Sequence, residues 1–246
     1  MALPQKLLEQ LPKGVSSALG GFSAPPSLPL GPELSAALPD GGLPRGAVVE
    51  LAVSGGASFG TRIALEACRS AQAERSKSGE VPWCAFIDPS GTLFGPGVQQ
   101  AGVELERLLV VRPPLEAIGR VALRMAESQV FSVMVVDTVG VPGCLLKVQL
   151  GRFPRIVRRL SIAVDGTLGL VLLITDSTAY RPLPLPVAQR IELSRPSQGE
   201  LQIRIAKDKW GRVSKSVARV CTERSHSVPA PDLSVIRKLR WVTPIE

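Results

Sequence analysis

An α/β fold, a mostly parallel sheet flanked by helices with antiparallel strands at the C-terminal side, is predicted by three features of the 246-residue sequence. Short unbroken apolar runs recur at Ala47–Val53, Val81–Ile87, Leu108–Val111, Val133–Val136 and Leu170–Ile174, as strands buried on both faces require. Segments with apolar residues at helical spacing lie between several of them. Beyond Pro186 the pattern changes: AQRIELSR, ELQIRIAKDK and SKSVARVCTE alternate in polarity, and SQGE makes a hairpin turn, so this part reads as short antiparallel strands.

The elements follow in order. Leu7, Leu8 and Leu11 line one side of a short N-terminal helix, with Lys6 and Glu9 opposite, and Pro12 and Gly14 end it. Residues 14–32, rich in Gly, Pro and Ser, form a linker or extended arm. A helix isolated in this way must pack back on the domain or dock on a partner. Strand Ala47–Val53 runs through the turn SGGASFG into a helix over Thr61–Gln72. Pro82 suits the start of the next strand. Leu115, Ile118, Val121, Ala122 and Met125 mark a helix within 114–129, and Arg155–Ala163 is a basic amphipathic helix. The basic tail APDLSVIRKLRWVTPIE reads as loosely attached. The organisation expected is therefore an N-terminal helix and linker (1–32), a core (33–224) and a basic C-terminal tail (225–246).

Composition narrows the function classes. The chain is 45% hydrophobic, enough for one sizeable domain. No apolar run approaches the roughly 20 residues of a membrane helix, and the N-terminus lacks a signal-peptide pattern, so a cytoplasmic protein is expected. Cys68, Cys84, Cys144 and Cys221 are far apart and accompany a single histidine. This favours free thiols over a disulfide framework or a zinc site. The net charge is +8 and uneven: residues 1–140 carry −2 and residues 141–246 carry +10. A basic half suits nucleic acid or an acidic protein surface, and a solvated basic face accounts for it equally well.

Gly55-Gly56-Ala57-Ser58-Phe59-Gly60-Thr61-Arg62 follows a strand and opens a helix. A phosphate-binding loop reads GxxxxGK[ST] in that context. Its glycines let backbone N–H groups wrap a phosphate at a helix N-terminus. Gly55 and Gly60 have the required spacing, but Thr61 stands at the lysine position and Arg62 at the hydroxyl position. The fixed charge for the terminal phosphates and the Mg²⁺-binding hydroxyl are both lost. Arg62 can still offer charge to a phosphate, with a longer and differently placed fork. Val133–Val136 followed by Asp137 has the form of a strand ending in a Mg²⁺-holding carboxylate.

Several collinear segments resemble the RecA recombinase core over residues 33–224. LSAALPDGGLPRGAVVEL resembles the lead into the family's first core strand. WCAFIDPSGTLFGPGVQQAGVELERLLVVRP resembles the strand carrying its catalytic glutamate and the strand after it. VMVVDTVG, LVLLITDS and IRIAKDKWG resemble the Mg²⁺ strand, the sensor strand and a late lysine hairpin. The resemblance implies a RecA-like sheet. It also places Ser90 at the water-activating glutamate, Gly97 at an adenine-stacking ring, and Asp176 at a glutamine that senses γ-phosphate. A serine cannot act as that general base. Lys207 and Lys209 match lysines that in the family reach a neighbour's nucleotide. The segments matching the family's DNA loops are short after Asp137 and proline-rich after Ile174, and no counterpart of its C-terminal domain is expected.

Within that superfamily the chain resembles the ImuA proteins, accessory factors of damage-induced mutagenesis. The resemblance implies a degenerate, non-catalytic member with no obligatory cofactor, at most residual ATP binding, and no metal. Its implied partners are RecA and an ImuB-type, Y-family-like polymerase subunit with its error-prone polymerase, in the bacterial cytoplasm and at the nucleoid when DNA is damaged. Leu7, Leu8 and Leu11 are candidates for docking on a RecA neighbour, as are Lys207 and Lys209. Arg152, Arg155, Arg158 and Arg159 are candidates for DNA phosphates or an acidic partner. The alternatives are a slow P-loop ATPase, with Arg62 or a neighbour's Lys207 or Lys209 replacing the lysine, and a plain DNA-binding repair factor.

Overall fold

A computed structural model describes residues 25–54, 58–74, 79–140, 148–178, 184–195, 200–213 and 218–221. The strands are β1 (Ser27–Pro29), β2 (Gly42–Pro44), β3 (Ala47–Val53), β4 (Trp83–Ile87), β5 (Leu108–Val111), β6 (Phe131–Asp137), β7 (Leu170–Asp176), β8 (Gln189–Ser194), β9 (Glu200–Asp208) and β10 (Ala218–Cys221). The α-helices are α1 (Pro32–Ala37), α2 (Ser58–Ala73), α3 (Gly95–Gln100), α4 (Ile118–Glu127) and α5 (Phe153–Val164).

Eight strands form one sheet in the order β10-β9-β8-β3-β7-β6-β4-β5. All pairs from β8 to β5 are parallel, and β9 pairs antiparallel with β8 and β10. Every residue of β3 is buried, because helices cover both faces of the sheet there. Val49, Leu51 and Val53 pack with Ile63 and Ala67 of α2, while Val48 packs on the other face with Val157 and Leu160 of α5. The mostly parallel sheet with an antiparallel C-terminal side is the architecture the sequence predicts. The switch in direction comes one strand later than the switch in pattern. β8 alternates, with Ile191 and Leu193 buried and Arg190 and Glu192 half-buried, yet it runs parallel to β3. Alternation reports that one face is open, and strand direction is a separate matter.

Within the stretch 14–32, residues 25–32 are an arm fixed to the core. β1 pairs antiparallel with β2, and Leu28 is fully buried. Gly42 permits this approach: a Cβ there would lie 2.2 Å from the Leu28 carbonyl oxygen. The N-terminal segment with Leu7, Leu8 and Leu11, the SQGE turn and the tail 225–246 lie outside the described residues.

Cys68 and Cys84 are buried free thiols. The hydrogen bond shared with the Cys84 side chain and then burial push the Cys68 thiol well above its usual pKa. Among the described residues no helix is long and apolar enough to cross a membrane, and no group of three or more His, Cys, Asp or Glu side chains could hold a metal.

Candidate functional site at the strand ends

The C-terminal ends of parallel strands form the crevice where open α/β sheets bind ligands. Here β3, β7, β6 and β4 lie side by side and deliver Ser54, Asp176, Asp137 and Asp88 to one edge. Residues 55–57, including Gly55, lie outside the described set. Helix α2 starts at Ser58, so its positive dipole end faces this edge. Gly60 is buried in its first turn. A Cβ there would come 3.0 Å from both Val53 Cγ1 and Ile174 Cγ2. The second glycine of the loop thus lets the helix sit directly on the ends of β3 and β7. Thr61 and Arg62 follow, both half-buried.

Asp137 ends β6 and is buried. Its Oδ1 accepts hydrogen bonds from the backbone N–H of Val139 (2.8 Å) and Gly140 (2.9 Å). Burial raises its pKa above the ordinary carboxylate value; the two amides oppose the shift, and the nearby Asp88 charge adds to it. Next to it, Asp88 is fully buried just beyond β4. Its Oδ1 accepts from Ser90 Oγ (2.9 Å) and the Thr92 N–H (3.1 Å), its Oδ2 accepts from the Leu93 N–H (3.0 Å), and Arg112 Nε stands 3.5 Å away. Ser90 also shares a 2.7 Å hydrogen bond with Thr92 Oγ1. Asp176 folds back on its own turn, accepting from the N–H and hydroxyl of Thr178. Gly97 lies in α3 beside an aromatic ring: a Cβ at Gly97 would be 3.5 Å from Phe94 Cδ1, and Phe94 is 69% exposed.

The structure therefore brings Gly60, Thr61, Arg62, Asp137, Asp176 and Ser90 to one edge of the sheet. Lys207 and Lys209 are not brought to it. β9 is antiparallel to β8, and Asp208 pairs with Gln189 at the start of β8, so both lysines sit towards the opposite, N-terminal edge. Each is exposed. Lys207 Nζ reaches the Leu185 carbonyl at 3.4 Å, and Lys209 Nζ is 6.0 Å from the Trp210 ring. Arg152, Arg155, Arg158 and Arg159 are all exposed on α5 and the 3-10 turn before it.

Besides the Phe94 ring, three features escaped the sequence reading. Asp88 organises the turn after β4, and the run Asp-Pro-Ser-Gly was its signal, since aspartate caps such turns. Arg195 places its guanidinium 5.6 Å over the Phe59 ring in the first turn of α2, with no sequence signal. Glu50, fully buried in β3, accepts from Thr175 Oγ1 at 2.7 Å and faces Arg190 at 3.6 Å. The Glu interrupting the apolar run of β3 was the signal there, since a buried charge needs partners.

No family model matches the chain. Over 125 residues it is 38% identical to the protein RecA of Rhodospirillum centenum, covering 48% of this chain and 32% of that protein. It is 40% identical to the protein RecA of Blastochloris viridis over 125 residues (48% and 33%), and 39% identical to that of Parvibaculum lavamentivorans over 111 residues (43% and 27%). The chain spans about a third of the length of these curated relatives. Partial matches of this kind, together with the mostly parallel sheet, support a RecA-like family for this chain.

Proposed function

We propose that this chain is a catalytically degenerate RecA-like accessory protein of DNA damage-induced mutagenesis and translesion synthesis. It acts by binding RecA and an ImuB-type polymerase partner, in the bacterial cytoplasm and at damaged DNA. Ser90 carries this reading. In the register of the RecA resemblance it replaces the water-activating glutamate, and its hydroxyl hydrogen-bonds Asp88 and Thr92. A hydroxyl so held cannot take a proton from water near neutral pH. Thr61 in place of lysine removes a second requirement, the fixed charge on the terminal phosphates. What remains for function is contact with other macromolecules. The exposure of Lys207 and Lys209 at the far edge is compatible with contact to a neighbouring subunit, and Leu7, Leu8 and Leu11 are the proposed docking residues for RecA.

The test is copurification of the tagged full chain from bacterial cells after DNA damage, read for RecA and for polymerase subunits. Recovery of both supports the role, and recovery of neither removes it. In a pulldown with purified RecA, Leu7→Ser/Leu8→Ser/Leu11→Ser is expected to lose binding; unchanged capture removes the docking assignment.

One observation favours a second reading, residual nucleotide binding with slow hydrolysis. The exposed Phe94 ring beside Gly97 offers a stacking surface in place of the ring that Gly97 lacks. Calorimetry with Mg-ATP separates the two readings: micromolar binding lost in Phe94→Ala and weakened in Asp137→Ala supports the second.

A further inference from the structure

We infer that the outer face of α4 and α5 is a docking surface for a nucleic-acid backbone, built on two parallel pairs of arginines. Arg120 and Arg124 lie one turn apart on α4, and Arg155 and Arg159 one turn apart on α5; all four are exposed. The helices pack closely and run side by side. A Cβ at Gly119, near the start of α4, would come 2.3 Å from Ile156 Cδ1, near the start of α5. Further along, Arg159 reaches Glu127 at 3.5 Å. One helical turn separates the members of each pair by about 6 Å, and packed helices lie about 8–10 Å apart. Four guanidinium groups thus share one patch, with Arg152 and Arg158 flanking it.

The described residues leave most of this patch unneutralised. Among the described residues, Arg120, Arg124, Arg152, Arg155 and Arg158 make no ion pair, and Arg159 alone meets a carboxylate, on Glu127. Like charges one turn apart disfavour a helix by about 0.2–0.5 kcal/mol per pair, so folding alone gives no reason to keep two such pairs together. The partner that fits carries repeated negative charge. A protein partner would call for an apolar centre, whereas within α4 and α5 the one exposed large hydrophobic residue is Ile162. Neither helix presents an aromatic side chain at its surface for bases to stack on. The surface therefore suits phosphates rather than bases, and its binding is sequence-independent and salt-dependent. It stands or falls apart from the accessory role proposed above.

The test is fluorescence anisotropy of the full chain with labelled single-stranded and duplex oligonucleotides across a salt series. Four phosphate contacts correspond to a log–log salt slope of about −3 on single strands and about −3.6 on duplex. The variant Arg120→Gln/Arg124→Gln/Arg155→Gln/Arg159→Gln is expected to lose about tenfold or more in affinity and to flatten the slope by about that amount. Glu127→Gln, which frees Arg159, is expected to bind more tightly than the native chain, a gain that misfolding cannot mimic. Basic segments elsewhere contribute equally to all three proteins, so the differences isolate this face. Equal affinity of the native chain and the four-arginine variant overturns the inference, as does no DNA binding at about 50 mM salt. Capture of poly-glutamate in preference to DNA would assign the face to an acidic protein and overturn it too.

Discussion

The strand-end edge and the arginine face treat their charged groups in opposite ways. At the edge, Asp137 and Asp88 are buried and spend their oxygens on nearby backbone amides, while Asp176 accepts from Thr178. Across α4 and α5, the arginines point to solvent with one carboxylate among them. Charged groups absorbed by the chain's own turns hold structure together. Charged groups left uncompensated on a rigid helix pair are available to something outside. By this contrast we propose that the edge resembling a nucleotide site serves mainly as structure and that the helical surface serves binding.

Stability measurements can break the contrast. The largest effect is expected at Asp88→Ala, which leaves the half-buried N–H groups of Thr92 and Leu93 without their acceptor. Unsatisfied groups of this kind cost about 1–3 kcal/mol each, so denaturant unfolding should show a loss of about 3 kcal/mol. Gly60→Val should cost about 1–3 kcal/mol by overpacking against Val53 and Ile174. Neutral replacement of the four arginines should stay within about 0.5 kcal/mol of the native chain. A loss at that face as large as at Asp88 would mean that the arginines are structural, and the contrast would fail.

Asp137 sharpens it further. Its folded pKa is raised, first by burial, so the folded chain holds a proton more tightly than the unfolded one. Between the ordinary carboxylate pKa and the raised value, stability falls as pH rises; above the raised value, the full cost of the buried charge is present. Asp137→Asn keeps an oxygen for the Val139 and Gly140 amides and removes that charge. Its midpoint in denaturant should equal or exceed the native chain's at neutral pH, and the gap should close as pH falls through the raised pKa. A gap that widens on acidification would contradict this assignment.

Much of the fold was legible because apolar runs report burial directly. β3 and β5 have the bounds that the runs Ala47–Val53 and Leu108–Val111 mark. The arm was legible only as an arm: the three residues of β1 are too few to show a period, and its pairing depends on Gly42, thirteen positions beyond its partner Pro29. The direction of β8 was hidden because alternation carries no sign of direction. At the site, Gly60 and Asp137 were found by motif spacing. Phe94 was missed because a one-dimensional register compares positions, whereas the ring beside Gly97 is a neighbour in space. The arginine patch was half found, since Arg155 and Arg159 share a helix while Arg120 and Arg124 join them only through helix packing.

We propose that the strand-end edge is retained as scaffold and no longer turns over nucleotide. Phosphate release from Mg-ATP by the full chain, with and without single-stranded DNA, tests it most directly. The account predicts a rate equal to that of Asp137→Asn and unchanged by DNA. DNA-stimulated turnover that disappears in Asp137→Asn would contradict it.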